Sequence, residues 1–168
     1  HELVGKTVSL RKHAGYENKA MFMIEKIPLS YLKIVESKFD YENFINGKVD
    51  ALSGYSTNTP YALKEAGVEF NIIKPYYYGI DFYGDTIFTT EQMVKKEPKL
   101  VAKFLKASIK GWEYALKNKD EIIDLIIKKY NAKDSKIVLK YEASQTEELI
   151  LPEYIPIGTM SIPKWHYI

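Results

Sequence analysis

Val49-Asp50-Ala51-Leu52-Ser53-Gly54-Tyr55-Ser56-Thr57-Asn58-Thr59-Pro60 is the stretch on which the fold turns. Val49 to Ser53 reads as a short strand. Thr59-Pro60 supplies an N-cap and a first-turn proline, the preferred chemistry of a helix start, and Gly67 ends that helix. A strand that passes through a tight polar loop into a helix is half of a β-α-β unit, and the same half-unit recurs upstream. Thr7-Val8-Ser9-Leu10 reads as a strand. Gly15 turns the chain, and Tyr16 to Lys26 carries Ala20, Met23 and Ile24 on one helical face before Pro28 stops it. Ile34-Val35-Glu36-Ser37 is the next strand. Asp40 is suited to cap a short helix from Tyr41 to Asn46, with Gly47 just past its end. Glu69-Phe70-Asn71-Ile72-Ile73 predicts a fourth strand. The order β-α-β-α-β-α-β with short connections predicts an α/β fold, a mostly parallel sheet with helices on its faces.

The pattern changes at Lys74-Pro75-Tyr76-Tyr77-Tyr78-Gly79, an aromatic run bracketed by Pro and Gly. Tyr83 to Thr90 reads as one more strand, and helices follow. Thr89 with Gln92 forms a capping-box pattern, Pro98 sits at a helix start, and Leu100, Val101, Phe104, Leu105, Trp112, Ala115 and Leu116 make an apolar stripe. Asn118 with Glu121 starts a second long helix, carrying Ile122, Ile123, Ile126, Ile127 and Tyr130. Asp134 is placed to cap a third. The tail from Pro152 reads as irregular. A boundary near residues 74 to 83 therefore separates an α/β lobe, 1–77, from a strand and helical layer, 78–168. Trp112 and Trp165 read as core rather than site residues.

Composition narrows the function classes. The 168 residues suffice for one domain or two small lobes, and 46% hydrophobic against 27% charged residues argue for an ordered chain. A net charge of +2 gives no general attraction to nucleic acid or anionic membrane. The absence of Cys removes disulfides, thiolate catalysis and Cys-based zinc sites. Apolar runs fall short of the roughly 20 residues a membrane span needs. The chain lacks an initiator Met and an evident signal peptide, so it reads as a mature piece or a fragment. No Gly-rich phosphate loop, H-E-x-x-H or G-x-S-x-G motif occurs, and His1, His13 and His166 have no metal-ligand spacing. Enzyme is the less favoured class. No cofactor is expected.

In open α/β sheets ligands sit beyond the carboxyl ends of the strands. Three loops qualify. Arg11 to Asn18 places cationic side chains, Tyr16 and a helix start together, a setting for anions and carbonyl oxygens. Ser53 to Pro60 is dense in hydroxyls; Tyr55 offers a flat face, Asn58 both donates and accepts, Gly54 allows close backbone approach, and Thr59 closes the loop. Tyr76 to Asp85 combines aromatics, two Gly and two Asp, which suits a hinge beside a pocket. The candidate ligand-binding residues are Arg11, Tyr16, Tyr55, Asn58, Thr59, Tyr78, Asp81 and Tyr83. No catalytic or metal-ligating residue is assigned.

The segments Leu3 to Val8, Gly15-Tyr16-Glu17, Gly47-Lys48-Val49-Asp50-Ala51, Thr57 to Tyr61, Tyr78 to Asp85, Gly111 to Leu116 and Ile157-Gly158-Thr159-Met160 carry a family pattern over nearly the whole chain. The chain resembles the periplasmic substrate-binding proteins of the thiamin-pyrimidine-precursor and alkanesulfonate type. The resemblance implies a two-lobed clamp of the type II periplasmic-binding fold. Residues 1–77 would form most of the second lobe, 78–168 a crossover and an incomplete, largely helical return to the first. Relatives carry a further α/β stretch before position 1 that supplies the other wall of the cleft. Related sequences often have Glu between the equivalents of Asn58 and Pro60, where this chain has Thr59.

The function implied is non-catalytic capture of a small polar, pyrimidine-like solute outside the cytoplasm. The partner would be an ABC permease or a fused membrane signalling domain, with no nucleic acid and no membrane insertion by this chain. Two alternatives differ in class. One is a cofactor-dependent thiamin-pyrimidine synthesis enzyme on the same scaffold. Its relatives rely on a Cys-rich motif that this chain lacks, and only Lys12 and His13 offer an adjacent Lys and His. The other is a protein-interaction module with an exposed half-cleft.

Overall fold

The computed structural model describes residues 2–11, 15–37, 41–130 and 133–167. The chain divides into two compact units, one running to Phe82 and the other Tyr83–Tyr167.

The first unit is mixed α/β. Its elements are β1 (Thr7–Leu10), α1 (Tyr16–Ile24), β2 (Lys33–Glu36), α2 (Glu42–Ile45), β3 (Ala51–Leu52) and α3 (Thr59–Glu65), with 3-10 turns at Leu29–Tyr31 and Pro75–Tyr78. The three strands form one parallel sheet in the order β2-β1-β3. Val8 pairs with Ile34 on one side and Ala51 on the other, so β1 is central. Its alternation is the expected period of two: Val8 and Leu10 are buried, Thr7 and Ser9 are half-buried. Val8 and Leu10 join Met21, Phe22, Ile27, Leu32 and Ile80 in the core. At the sheet's other end Thr7 N–H donates to Asp50 Oδ2 at 2.8 Å while Asp50 N–H returns a bond to the Thr7 carbonyl.

Several expectations need correction here. Helix α1 buries Met21 and Phe22, with Ala20 packed against the same core as expected; Met23 and Ile24 do not follow it, being 75% exposed and half-exposed. Phe22 offers the largest apolar area in that helix interior, and seating its ring turns the face by about one residue. Asp40 lies outside the described residues, as do Lys12 and His13. Thr59 is the first residue of α3 and Asn58 occupies the cap position, without a side-chain bond to the helix N–H groups. Glu69 to Ile73 forms no strand, and Ile72 is 52% exposed. Its alternation suits a strand, but the segment is not paired to the β3 edge, and a strand exists only through a ladder with a neighbour.

The second unit is helical. It comprises α4 (Glu91–Lys96), α5 (Pro98–Lys117), α6 (Lys119–Tyr130), α7 (Lys136–Ile150) and α8 (Ile162–Tyr167). Tyr83 to Thr90 is irregular rather than a strand, with no partner ladder among the described residues. The helix caps sit one residue beyond the expected ones. Thr90 Oγ1 accepts from Met93 N–H at 3.1 Å, in place of Thr89, and Ser135 Oγ accepts from Val138 N–H at 3.4 Å, in place of Asp134. Asn118 donates backward to the Tyr114 carbonyl at 2.8 Å, and Glu121 accepts from the Tyr114 hydroxyl at 2.8 Å. The tail is irregular except for α8. Among its described residues only Leu116 and Ile123 are buried, and Trp112 and Trp165, expected in a core, are each 47% exposed. A helical layer with so little interior cannot enclose rings of that size.

Candidate functional site

The strand order reverses beside β1. The connection from β1 runs through α1 to β2 on one side, and the next runs through α2 to β3 on the other side of β1. The carboxyl ends of β1 and β3 therefore flank the reversal of strand order, the kind of switch point at which open α/β sheets bind ligands. Ser53 N–H donates to the Ser9 carbonyl at 2.8 Å, so the two strands enter their loops side by side.

Two side-chain bonds tie these loops together. Arg11, the first residue after β1, donates from Nη1 to the Tyr55 hydroxyl at 3.2 Å. Asn18, in the first turn of α1, donates from Nδ2 to Ser53 Oγ at 3.2 Å. Gly15 opens α1 with φ +76°, in the left-handed region that favours glycine, and its α-carbon face lies against Asn18 and Ser53. Tyr16 starts the helix with an exposed ring, and the Lys19 ammonium sits 5.4 Å from that ring's centroid.

The second loop folds back on itself. Asn58 and Thr59 N–H groups both donate to the Tyr55 carbonyl, at 3.2 and 3.0 Å. The turn leaves Tyr55 56% exposed while Thr59 is only 8% exposed. The buried Thr59 hydroxyl donates to Asn58 Oδ1 at 3.2 Å. Gly54 is where backbone meets this side chain: a Cβ there would overlap Thr59, 2.8 Å from its Cγ2 and 2.9 Å from its Cβ. On the β2 side of Arg11 a shallow hollow of about 300 Å³ is lined by Leu10, Arg11, Lys19, Leu29, Ile34 and Glu36.

Of the residues singled out from sequence, Arg11, Tyr55, Asn58 and Thr59 are joined in one hydrogen-bonded arrangement, with Tyr16 at the start of the adjoining helix. Tyr78 ends the Pro75–Tyr78 turn half-buried and packs against the core of the first unit. Asp81 follows it on exposed coil. Tyr83 belongs to the second unit. There its hydroxyl accepts from Ser161 N–H at 2.8 Å, its ring lies 5.1 Å from that of Trp165, and the Lys164 ammonium stands 4.6 Å from its centroid. Sequence reasoning did not single out Asn18 and Ser53 as site residues. The signal for them was positional: a side-chain amide in the first helical turn and a hydroxyl at the end of the neighbouring strand.

A family profile described as NMT1/THI5 like matches residues 1–122. Over 177 aligned residues, 99% of this chain, the sequence is 24% identical to a formylaminopyrimidine-binding protein of Halalkalibacterium halodurans and covers 53% of that protein. Over 81 residues, 46% of this chain, it is 35% identical to the riboflavin-binding protein RibY of Chloroflexus aurantiacus, covering 22% of it. The chain thus spans about half the length of the first of these relatives and less of the second.

Proposed function

This chain belongs to the NMT1/THI5-like family, and from that premise we propose that it serves in non-catalytic capture of a small, flat, polar solute, with the β1 and β3 loops as one wall of the binding site. The observation that carries the reading is the joining of these loops through Arg11–Tyr55 and Asn18–Ser53 at the switch point of a parallel sheet. Relatives named for binding a formylaminopyrimidine and riboflavin support a planar nitrogen heterocycle as the ligand. Arg11, Tyr55 and Asn58 are the contacts and Thr59 orients Asn58, with Tyr16, Tyr78, Asp81 and Tyr83 as further candidate contacts. In this reading residues 1–77 belong to one lobe of a clamp and 78–168 to the crossover and return. No helix among the described residues is long and apolar enough to cross a membrane. The protein works outside the cytoplasm and passes its solute, or the fact of its capture, to an ABC permease or a membrane signalling domain.

Capture without turnover requires contacts made only in the bound form, because a ligand shifts an equilibrium no further than its differential affinity. Calorimetry of the full-length protein with a panel of pyrimidines and flavins is expected to show a ligand of about micromolar dissociation constant, recovered chemically unchanged. Tyr55→Ala and Asn58→Ala each weaken it while leaving the thermal transition in place. Absence of heat across the panel, or full affinity in both variants, refutes the assignment.

A further inference from the structure

We infer that this site selects its ligand by hydrogen-bond acceptors, favouring a heterocycle whose edge carries ring carbonyls over one carrying amino groups; the inference rests on the capture function proposed above. The decisive pair is Thr59 and Asn58. A threonine hydroxyl both donates and accepts, and an amide oxygen only accepts, so the 3.2 Å contact is Thr59 donating to Asn58 Oδ1. Thr59 is buried and its β-branched side chain is held against Gly54, so the arrangement is fixed. With its oxygen so engaged, Asn58 turns its NH2 group away from Thr59. That nitrogen has no hydrogen-bond partner among the described residues, and it can only donate.

Arg11 adds donors to the same surface, where the acceptors are the Asn18 amide oxygen and the hydroxyls of Tyr55 and Ser53. Arg11 carries donors and a permanent charge and no acceptor, and it stands at the Tyr55 hydroxyl, the same residue whose carbonyl closes the Asn58 turn. The side chains in this network, Arg11, Tyr55, Asn58, Thr59, Asn18 and Ser53, are cationic or neutral. An amino group brought to Asn58 meets a donor with a donor. A ring carbonyl meets its complement. Discrimination of this kind is strong, because the wrong partner leaves desolvated polar groups unmatched on both sides.

The test uses the full-length protein and two rings that differ in one group: 2-methylpyrimidin-4-one, with an oxo group, and 4-amino-2-methylpyrimidine. The expected result is that the oxo ring binds at least about tenfold more tightly. Asn58→Asp exchanges the NH2 donor for a carboxylate acceptor while keeping a good cap residue, and it is expected to reverse the order. Thr59→Val releases Oδ1 and is expected to narrow the ratio, whereas a loss of packing alone lowers both affinities together. Equal or tighter binding of the amino ring by the unaltered protein, or a ratio unmoved in Asn58→Asp, overturns the inference and leaves capture standing. Binding of neither ring, and of no flavin, overturns the capture function and the inference with it.

Discussion

Asn18 Nδ2 donates to Ser53 Oγ at 3.2 Å across 35 positions of sequence. The bond joins the first turn of α1 to the end of β3, and Arg11 repeats the connection one step further out, at the Tyr55 hydroxyl. Either bond alone would be a modest surface contact of about 1 kcal/mol. Together they make two loops, each free to wander in a typical α/β protein, into one polar surface held on a rigid strand pair. Preorganisation of this kind is what a capture site needs, because ordering a loop on binding subtracts from affinity.

Gly54 is the tightest point of that surface. Its conformation is ordinary, but a methyl group there overlaps the side chain of the buried Thr59. Thr59 cannot swing away cheaply, since it is buried and its hydroxyl is held by Asn58 Oδ1. Gly54→Ala is therefore expected to destabilise the protein by about 1–3 kcal/mol. It also displaces Asn58. Chemical denaturation gives the first quantity and ligand titration the second, and a Gly54→Ala protein with native stability places the loop elsewhere.

The core strand β1 was fully legible in the sequence: Thr7–Leu10 alternates cleanly and is bounded by Gly5 and Arg11. So were α5, with Pro98 at its first position, and the turn glycines Gly47 and Gly67, both at positive φ. What was misread depended on neighbours. Glu69 to Ile73 and Tyr83 to Thr90 have strand chemistry but form no ladder, and pairing is not a property of a single segment. Met21 and Phe22 joined Ala20 at the core in place of Met23 and Ile24 because ring size outweighed periodicity. At the site, loop composition pointed to Arg11, Tyr55 and Asn58, while the Asn18–Ser53 bond depended on strand register, which sequence alone left open.

The cap positions give a local test of stability. Thr90 and Ser135 each accept one of the otherwise unpaired N–H groups at a helix start, and in both cases the residue before them had equally good cap chemistry. Thr90→Ala and Ser135→Ala are each expected to cost about 1 kcal/mol, and Thr89→Ala and Asp134→Ala far less. Thermal denaturation of the four variants decides the matter; equal effects within each neighbouring pair refute the assignment.

Asp50 links pH to the sheet. The Thr7 N–H bond to its carboxylate holds its pKa below the ordinary 3.8; loss of hydration opposes this, and the Lys6 ammonium 3.5 Å away reinforces it. A carboxyl depressed in the folded state contributes fully above its unfolded pKa, and that contribution is lost as pH falls through the folded value. Asp50→Asn is expected to lower stability at neutral pH and to make the acid limb of the stability curve shallower. Denaturant midpoints measured across the acid range show the two curves converging at the lowest pH. Parallel curves would mean that Asp50 does not titrate against the sheet.

The pairing of α6 with α7 is electrostatic to an unusual degree. Lys119 reaches Glu147 at 2.9 Å, Lys140 reaches Asp120 at 2.7 Å, and Lys136 reaches Asp124, while Ile123 is the sole buried side chain described on either helix. The Lys140 hydrogen bond lowers the pKa of Asp120, and the Asp124 hydrogen bond raises that of Lys136. The first contribution is lost as pH falls through the folded value of Asp120, the second as pH rises through that of Lys136, so the helix pair is firmest between them. All of these groups are solvated, so added salt screens them. Raising NaCl from about 0.01 M to about 1 M is expected to lower the melting temperature followed by helical circular dichroism. A Lys136→Met, Lys140→Met double variant loses most of that dependence. A salt response that persists unchanged in the double variant would mean that the Lys136 and Lys140 pairs do not hold the two helices together.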